Sequence, residues 1–470
     1  MAAAATIGLT IGMNLRDKQW SVKADLGGLD PLSTDYNPFR HVTVGGVPTR
    51  GKDVSSFQAI TAEASFNLNP QPDEVKLHIG APKGFLRPGI VKEYVDQKSS
   101  QELDAMASNY RNPNGVPEWT DAAQKFVTSS TGVEGLTPYP LPGLKQLSTV
   151  VRAHVENVTG LSMADVDVIT FGPGYRSSFN NLGPEPRVNV IDIRDITQEE
   201  MVDAFESAVQ KSVEQGRKIV VWWQIENPMG MVLKPELQER VRNIVRANDH
   251  IVAFAEDHAY AGMSASPHDE SVAAPLINDV TGSKLVVMGI STSKIVNNGG
   301  HNGGIVCGNF SEKFIKDVLN NMCSGTSRLG LDLQAYMLND MLKNEETMRT
   351  KILDGLKTAQ SLSQKFNEAG IKASCPDIGP FIVLDFNDIK DALMVSPQVW
   401  LRAHGILTLG GTSTDISELP NSPQSFEGYE NMVRTAWCGL SPKEAHDVAD
   451  KIIALYKGVK RSFPNETKTN

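Results

Sequence analysis

The chain has 470 residues, 40% hydrophobic and 21% charged, a globular composition long enough for two or three packed domains. Its 45 Lys and Arg against 55 Asp and Glu leave a formal net charge of −10, which excludes a general nucleic-acid binder, because such a protein needs a basic face to displace counterions from phosphate. No apolar run approaches the roughly 20 residues needed to span a bilayer, and the four cysteines (Cys307, Cys323, Cys375, Cys438) fall in no disulfide-framework or metal-ligand spacing.

A reducing, cytoplasmic setting with no membrane partner and no metal is therefore expected. The opening MAAAATIGLTIGMNL lacks the basic region of a signal peptide. Residues 1–75 are rich in Gly, Asp, Pro and Thr and read as an arm or loop-rich extension. Residues 76–138 mix short helical stretches with Pro and Gly breaks and read as the N-terminal part of a small domain with a cap.

From Tyr139 onward, strand and helix alternate. Residues 144–158 are amphipathic and helical, and 166–171 (VDVITF) form a strand followed by Gly172-Pro173-Gly174. A short strand is next, at 188–193. Thr197 and Glu200 then make a capping box that opens a helix to 215. The continuous apolar run 218–223 (KIVVWW) predicts a strand buried on both faces, and Trp222 and Trp223 read as its core packing. Pro235 sits where a first helical turn belongs, for a helix to 248. Further strands are expected at 251–255, 285–290 and 304–307. This rhythm predicts a mostly parallel sheet with helices on both faces, in a large domain over 139–345. The pattern 331–369 has no proline and predicts one long helix, bent near Gly355. Strands at 380–386 and 432–437 and a final helix from Ser441-Pro442 complete a smaller domain over 346–470.

Four segments carry candidate chemistry: Asn227-Pro228-Met229-Gly230, Asp257-His258-Ala259-Tyr260, Ser291-Thr292-Ser293-Lys294, and Arg434 in VRTAW. Each alone has an ordinary explanation: a turn, a strand-end carboxylate, a solvated lysine, a structural ion pair. Together they stand in order at expected strand ends. Asp257 lies 30 residues after Asn227, Lys294 37 after Asp257, and Arg434 140 after Lys294.

This constellation resembles the class I/II aminotransferase family of pyridoxal-phosphate enzymes, from about Tyr139 to the C-terminal helix. Weaker matches lie at HIGAPKG, from His78, and at YPLPG, from Tyr139. The resemblance implies α/β fold type I: a mostly parallel sheet in a large domain and a smaller α+β domain built from the chain termini. It implies pyridoxal 5′-phosphate as cofactor, with Lys294 forming the Schiff base and acting as base at the substrate Cα. By the same resemblance, Asp257 holds the ring nitrogen protonated, and Tyr260 and Asn227 meet the ring 3′-oxygen. Arg434 would grip the substrate α-carboxylate in a bidentate contact. Gly174, Tyr175 and Arg176 would form the phosphate turn, with the hydroxyls of Ser291 and Ser293 beside it. A homodimer is also implied.

Three departures stand out. The family's phosphate-pairing arginine, eight residues after the lysine, is Asn302 here, which carries no charge. Arg176 is the first candidate to replace it and His301 the second. The segment between Gly174 and Asn227 is short. It lacks the unit that brings an aromatic residue onto the cofactor ring, and Phe179 and Tyr175 are the nearby aromatics. Finally, the chain before Tyr139 is expanded. The function expected is an enzyme acting on an amino acid through a Lys294 aldimine, foremost an aminotransferase. A lyase, cyclase or carbon–carbon bond-forming enzyme is the alternative, since the same core serves all of these. A cofactor-free binding protein that keeps the fold is the second alternative.

Overall fold

The computed structural model describes residues 9–14, 19–24, 74–78, 89–108, 116–179, 181–183, 185–280, 282–296, 303–323, 327–393, 395–415, 422 and 426–462. His301, Asn302 and most of HIGAPKG lie outside these residues. Within the stretch read as a loop-rich extension, β1 (Leu9–Asn14) and β2 (Gln19–Ala24) pair antiparallel, with Ile11 opposite Val22. The period-two apolar spacing Leu9, Ile11, Met13 is the local signal for that hairpin. β3 (Val75–Lys76) is the next strand.

Seven strands build the main sheet: β4 (Tyr139–Leu141), β5 (Val166–Gly172), β6 (Arg187–Asp192), β7 (Lys218–Trp223), β8 (Ile251–His258), β9 (Leu285–Ser291) and β10 (Gly304–Gly308). Their order is β4-β10-β9-β8-β7-β5-β6, and β10 alone runs antiparallel to its neighbours. The parallel strands are buried on both faces, as the unbroken apolar runs require. In β7, Ile219, Val221 and Trp223 face one core and Val220 and Trp222 the other. Trp222 packs on Phe179 with centroids 5.4 Å apart and Trp223 on Phe171 at 4.7 Å, so both tryptophans are core residues and Phe179 is committed to that packing. The Thr197–Glu200 capping box is present and opens helix Gln198–Glu214 directly after β6. No strand intervenes before β7.

A second sheet pairs β11 (Lys372–Ala373), β12 (Phe381–Asp385), β14 (Leu409–Gly410) and β15 (Met432–Ala436) in the order β11-β12-β15-β14. β13 (Ile406–Leu407) pairs in parallel with β3. Helices Glu345–Glu368 and Pro442–Ser462 cover the second sheet through a separate apolar core.

Two expectations need correction. The single helix over 331–369 is two helices, Arg328–Lys343 and Glu345–Glu368. The break is at Asn344 and not at Gly355. The Asn344 amide is shared between the carbonyls of Asp340 and Met341, which tightens the last turn and turns the chain. Gly355 has open space around it and stays helical, because Ile352, Leu356 and Ala359 hold that stretch on the core. Strand β8 also runs three residues past its expected end at 255. Its last residues, Glu256, Asp257 and His258, are ionisable, which hides a strand from a reading of apolar runs, yet all three are buried.

Candidate active site

The carboxyl ends of four adjacent parallel strands, β5, β7, β8 and β9, lead into Gly174, Asn227, Asp257 and Lys294 respectively. That edge is where open α/β sheets bind ligands. The sheet therefore brings together the candidate segments that the sequence spreads over 120 residues, and Arg434 joins them from β15 of the second sheet.

Asp257 is 4% exposed. Its Oδ2 accepts from Ser178 Oγ at 2.7 Å and from Gln224 Nε2 at 2.7 Å, while its buried Oδ1 has no hydrogen-bond partner among the described residues. Burial pushes the carboxyl up to about 7, against the pull of the Ser178 hydrogen bond. A buried carboxylate oxygen with an unfilled valence is a poised acceptor for a cationic N–H.

Lys294 sits in the short helix Thr292–Ile295 that β9 feeds. Its Nζ lies 5.7 Å from the centroid of the Tyr260 ring. Burial, then the charge of Arg434, lowers its ammonium to about 8, so an appreciable share is free amine near neutral pH. Tyr260 is 1% exposed, edge-on to Phe381 at 5.0 Å, and burial raises its phenol well above the usual range.

Arg434 lies on β15 with its guanidinium 4.3 Å from the centroid of Phe381. Nη1 donates to Asn227 Oδ1 at 2.9 Å and Nη2 to the His78 carbonyl at 2.8 Å, while the buried Nε makes no hydrogen bond. With Oδ1 engaged by Arg434, Asn227 keeps its amide N–H₂ as a donor. The turn carrying Asn227 requires glycine at 230. Gly230 has φ +67°, and a Cβ there would meet Pro376 Cβ at 2.6 Å. The Gly230 carbonyl also accepts from the amides of Asp377 and Ile378 at 2.6 and 3.1 Å, which docks this turn on the strand approach of the second sheet.

The expected phosphate turn differs from its sequence reading. Gly174 N–H donates to the Thr414 carbonyl at 2.8 Å and Tyr175 N–H to Gln224 Oε1 at 2.8 Å, so these two amides are engaged within the chain. The chain then makes a single 3₁₀ turn, Arg176–Phe179, in place of a regular helix. Ser291 and Ser293 hydroxyls lie 2.7 Å apart, bonded to each other. Lys145 Nζ sits 5.8 Å from the Tyr175 ring centroid.

The sequence matches the family Aminotransferase class I and II over residues 72–452. The chain belongs to that family. Its members use pyridoxal phosphate, and the protein is a transferase of this cofactor class. Among solved structures it is similar to Bna3p from Saccharomyces cerevisiae (17% identity, 88% of this chain and all of that one, TM-score 0.63). It is also similar to an archaeal alanine:glyoxylate aminotransferase (19%, 86% and 96%, 0.63). A third similar structure is a Thermus thermophilus aspartate aminotransferase mutant complexed with tryptophan (17%, 87% and 100%, 0.61). At these identities the likeness is one of fold type I. Comparison with curated protein sequences gives no match.

The residues of this aminotransferase-family site fit the cofactor. The orphan Oδ1 of Asp257 and the low-pKa amine of Lys294 are the acceptor and the nucleophile that a pyridoxal ring and aldehyde require. Sequence reasoning did not single out Ser178 and Gln224, which orient Asp257, or Phe381 under Arg434. Gln224 and Glu226 had a signal, as polar residues set directly after the apolar run of β7. Phe381 had none, because its role depends on how the two sheets meet. Among the described residues no group of side chains could hold a metal ion, and no helix is long and apolar enough to cross a membrane.

Proposed function

We propose that this protein is an aminotransferase acting on an amino acid, with Lys294 as the residue that carries pyridoxal phosphate. The observation that carries this reading is the buried, unpartnered Asp257 Oδ1 together with the Lys294 amine on adjacent strand ends. Bound pyridoxal phosphate supplies an aldehyde that captures amines and a ring that withdraws electrons from the substrate Cα. Asp257, fixed by Ser178 and Gln224, holds the proton on the ring nitrogen. Tyr260 and the Asn227 amide N–H₂ stand at the 3′-oxygen. Lys294 would serve as the base that takes the substrate Cα proton and returns it, which its lowered pKa permits near neutrality. Arg434, braced by Asn227 and backed by Phe381, binds the α-carboxylate.

The phosphate would be held near the Ser291 and Ser293 hydroxyls and the Gly174–Tyr175–Arg176 turn, whose Gly174 and Tyr175 amides are already engaged within the chain. Arg176 supplies the charge that Asn302 does not. The protein works as a cytoplasmic homodimer, for which a dimer mass in sedimentation is the check. The test of the function is a screen of amino acids with keto-acid acceptors, read by mass spectrometry. Keto-acid product from the donor supports transamination. A product that keeps its amine and loses a β or γ substituent would overturn it in favour of a lyase.

A further inference from the structure

Beside Asp257 lies a chain of buried ionisable groups to which the proposed transamination assigns no part. His258 is fully buried, with Nδ1 hydrogen-bonded to Glu226 Oε1, while Nε2 makes no hydrogen bond among the described residues and has Glu270 Oε2 3.5 Å away. The other oxygen of Glu226 accepts from the Tyr260 amide at 3.1 Å. Glu270 accepts from the amides of Gly262 at 2.7 Å and Ser264 at 2.9 Å. Glu226 immediately precedes Asn227, and His258 immediately succeeds Asp257. Glu226 thus ties the turn after β7 to the end of β8 through His258 and the Tyr260 amide, and Glu270, on the 262–270 segment, sets a second carboxylate beside the ring.

A neutral imidazole carries one N–H and faces only one carboxylate as a donor, whereas the imidazolium faces both. Burial opposes that charge, but Glu226, with Glu256 and Glu270, more than reverses it and pushes the ring up to about 10. The carboxylates acting on His258 are thus Glu226, Glu256 and Glu270, and Asp257 is its neighbour along β8.

We propose that Glu226, His258 and Glu270 are positioning residues of the cofactor site: a doubly protonated His258, held between the carboxylates of Glu226 and Glu270, locks the three segments in register and so holds Asp257 toward the ring nitrogen, an inference that rests on assigning Asp257 to that nitrogen. The first readout needs no cofactor. Nitrogen NMR of the histidines in the apoprotein, assigned by the signal lost in His258→Gln, is expected to show both ring nitrogens of His258 protonated at pH 8, and one proton lost in Glu226→Gln. A singly protonated ring in the wild type at pH 7 overturns the proposal.

The second readout is pyridoxal phosphate labelled at its ring nitrogen. In His258→Gln, which keeps a hydrogen-bonding side chain, affinity is expected to fall about tenfold to a hundredfold, the worth of a charge-assisted contact, and the ring nitrogen to lose part of its proton. A folded variant with unchanged affinity and a protonated ring overturns it. Should His258→Gln not fold, Glu270→Gln carries the same expectation and the same overturning result. Asp257→Asn is the control. If that variant leaves the ring nitrogen protonated, the Asp257 assignment itself fails, while the apoprotein result still reports on the Glu226–His258 chain.

Discussion

Arg434 and Asn227, 207 positions apart, are joined by a 2.9 Å hydrogen bond from Nη1 to Oδ1. The bond links β15 of the second sheet to the turn after β7 of the first. The residue proposed for the substrate carboxylate and a residue proposed for the cofactor ring thus share one contact, and a shift in either sheet moves both.

That contact predicts the behaviour of Arg434→Lys. An ammonium is a point donor on a flexible stem and cannot bond Asn227, the His78 carbonyl and a substrate carboxylate in one plane. KM for the amino acid is expected to rise about tenfold to a hundredfold, with cofactor affinity falling less. Steady-state kinetics and cofactor titration on the same preparation check this, and an unchanged KM would remove Arg434 from the carboxylate.

Lys294→Ala should leave the protein folded, because the side chain makes no hydrogen bond among the described residues. It should end covalent capture of the cofactor and turnover. Borohydride reduction followed by peptide mapping is the measurement, and a labelled lysine other than Lys294 would be decisive against the assignment.

Gly230→Ala tests the turn. A side chain there would take up a left-handed conformation at φ +67° and drive its Cβ to 2.6 Å from Pro376. The expected result is a loss of stability of about 1–3 kcal/mol, larger than for a surface substitution. Chemical denaturation of the apoprotein reads it, and a wild-type midpoint would show that the turn relaxes freely.

The parts of this molecule legible in the sequence were those with a local or strictly ordered signal. The apolar runs of β5, β7 and β9, the Thr197 capping box and the Pro235 helix start all depend on neighbouring residues, and they lie where expected. Asn227, Asp257 and Lys294 were singled out by the resemblance of their order and spacing to the aminotransferase family, and the parallel strands bring them to one edge of the sheet. The helix break at Asn344 was not, since Gly355 has the lower propensity and only packing keeps it helical. Nor were the engaged amides of Gly174 and Tyr175, because their partners, Thr414 and Gln224, lie 240 and 49 positions away. The Glu226–His258–Glu270 chain was hidden for the opposite reason. Glu226 and His258 sit beside motif residues and Glu270 ten residues past Tyr260, and only burial distinguishes the three from solvated charges.

Arg176→Ala addresses the phosphate. A dianion in a pocket needs a compensating charge, and Asn302 brings none. Cofactor affinity is expected to fall by about 1.5–3 kcal/mol, the range of a hydrogen bond to a charged group. Asn302→Arg in the same background should recover part of it. Cofactor titration of both variants decides the point, and unchanged affinity in Arg176→Ala would move the compensating charge elsewhere.

Asp257→Asn should reveal the linkage between the cofactor and stability. The folded-state carboxyl is raised from its ordinary 3.8 to about 7, chiefly by burial. A raised acid stabilises the fold fully below its unfolded value and loses that contribution as pH rises through its folded value. Between about pH 4 and 7 the wild-type apoprotein should therefore lose stability relative to Asp257→Asn, whose amide carries no charge at any pH. His258, raised to about 10, loses its contribution only from 6.5 upward, so the comparison is read over pH 4 to 7, where Glu270 is the other raised group and the same curves on Glu270→Gln show its share. Near pH 7 the variant should be the more stable apoprotein, by roughly 1–3 kcal/mol, the range for a buried polar group left without a partner. Cofactor reverses the order, because a protonated ring nitrogen beside Oδ1 supplies the missing partner to the carboxylate and not to the amide. Denaturation curves at pH 4, 5.5 and 7, with and without pyridoxal phosphate, test both halves. A stability difference that ignores pH would mean that Oδ1 is solvated in solution, and one that ignores the cofactor would place the ring nitrogen away from Asp257.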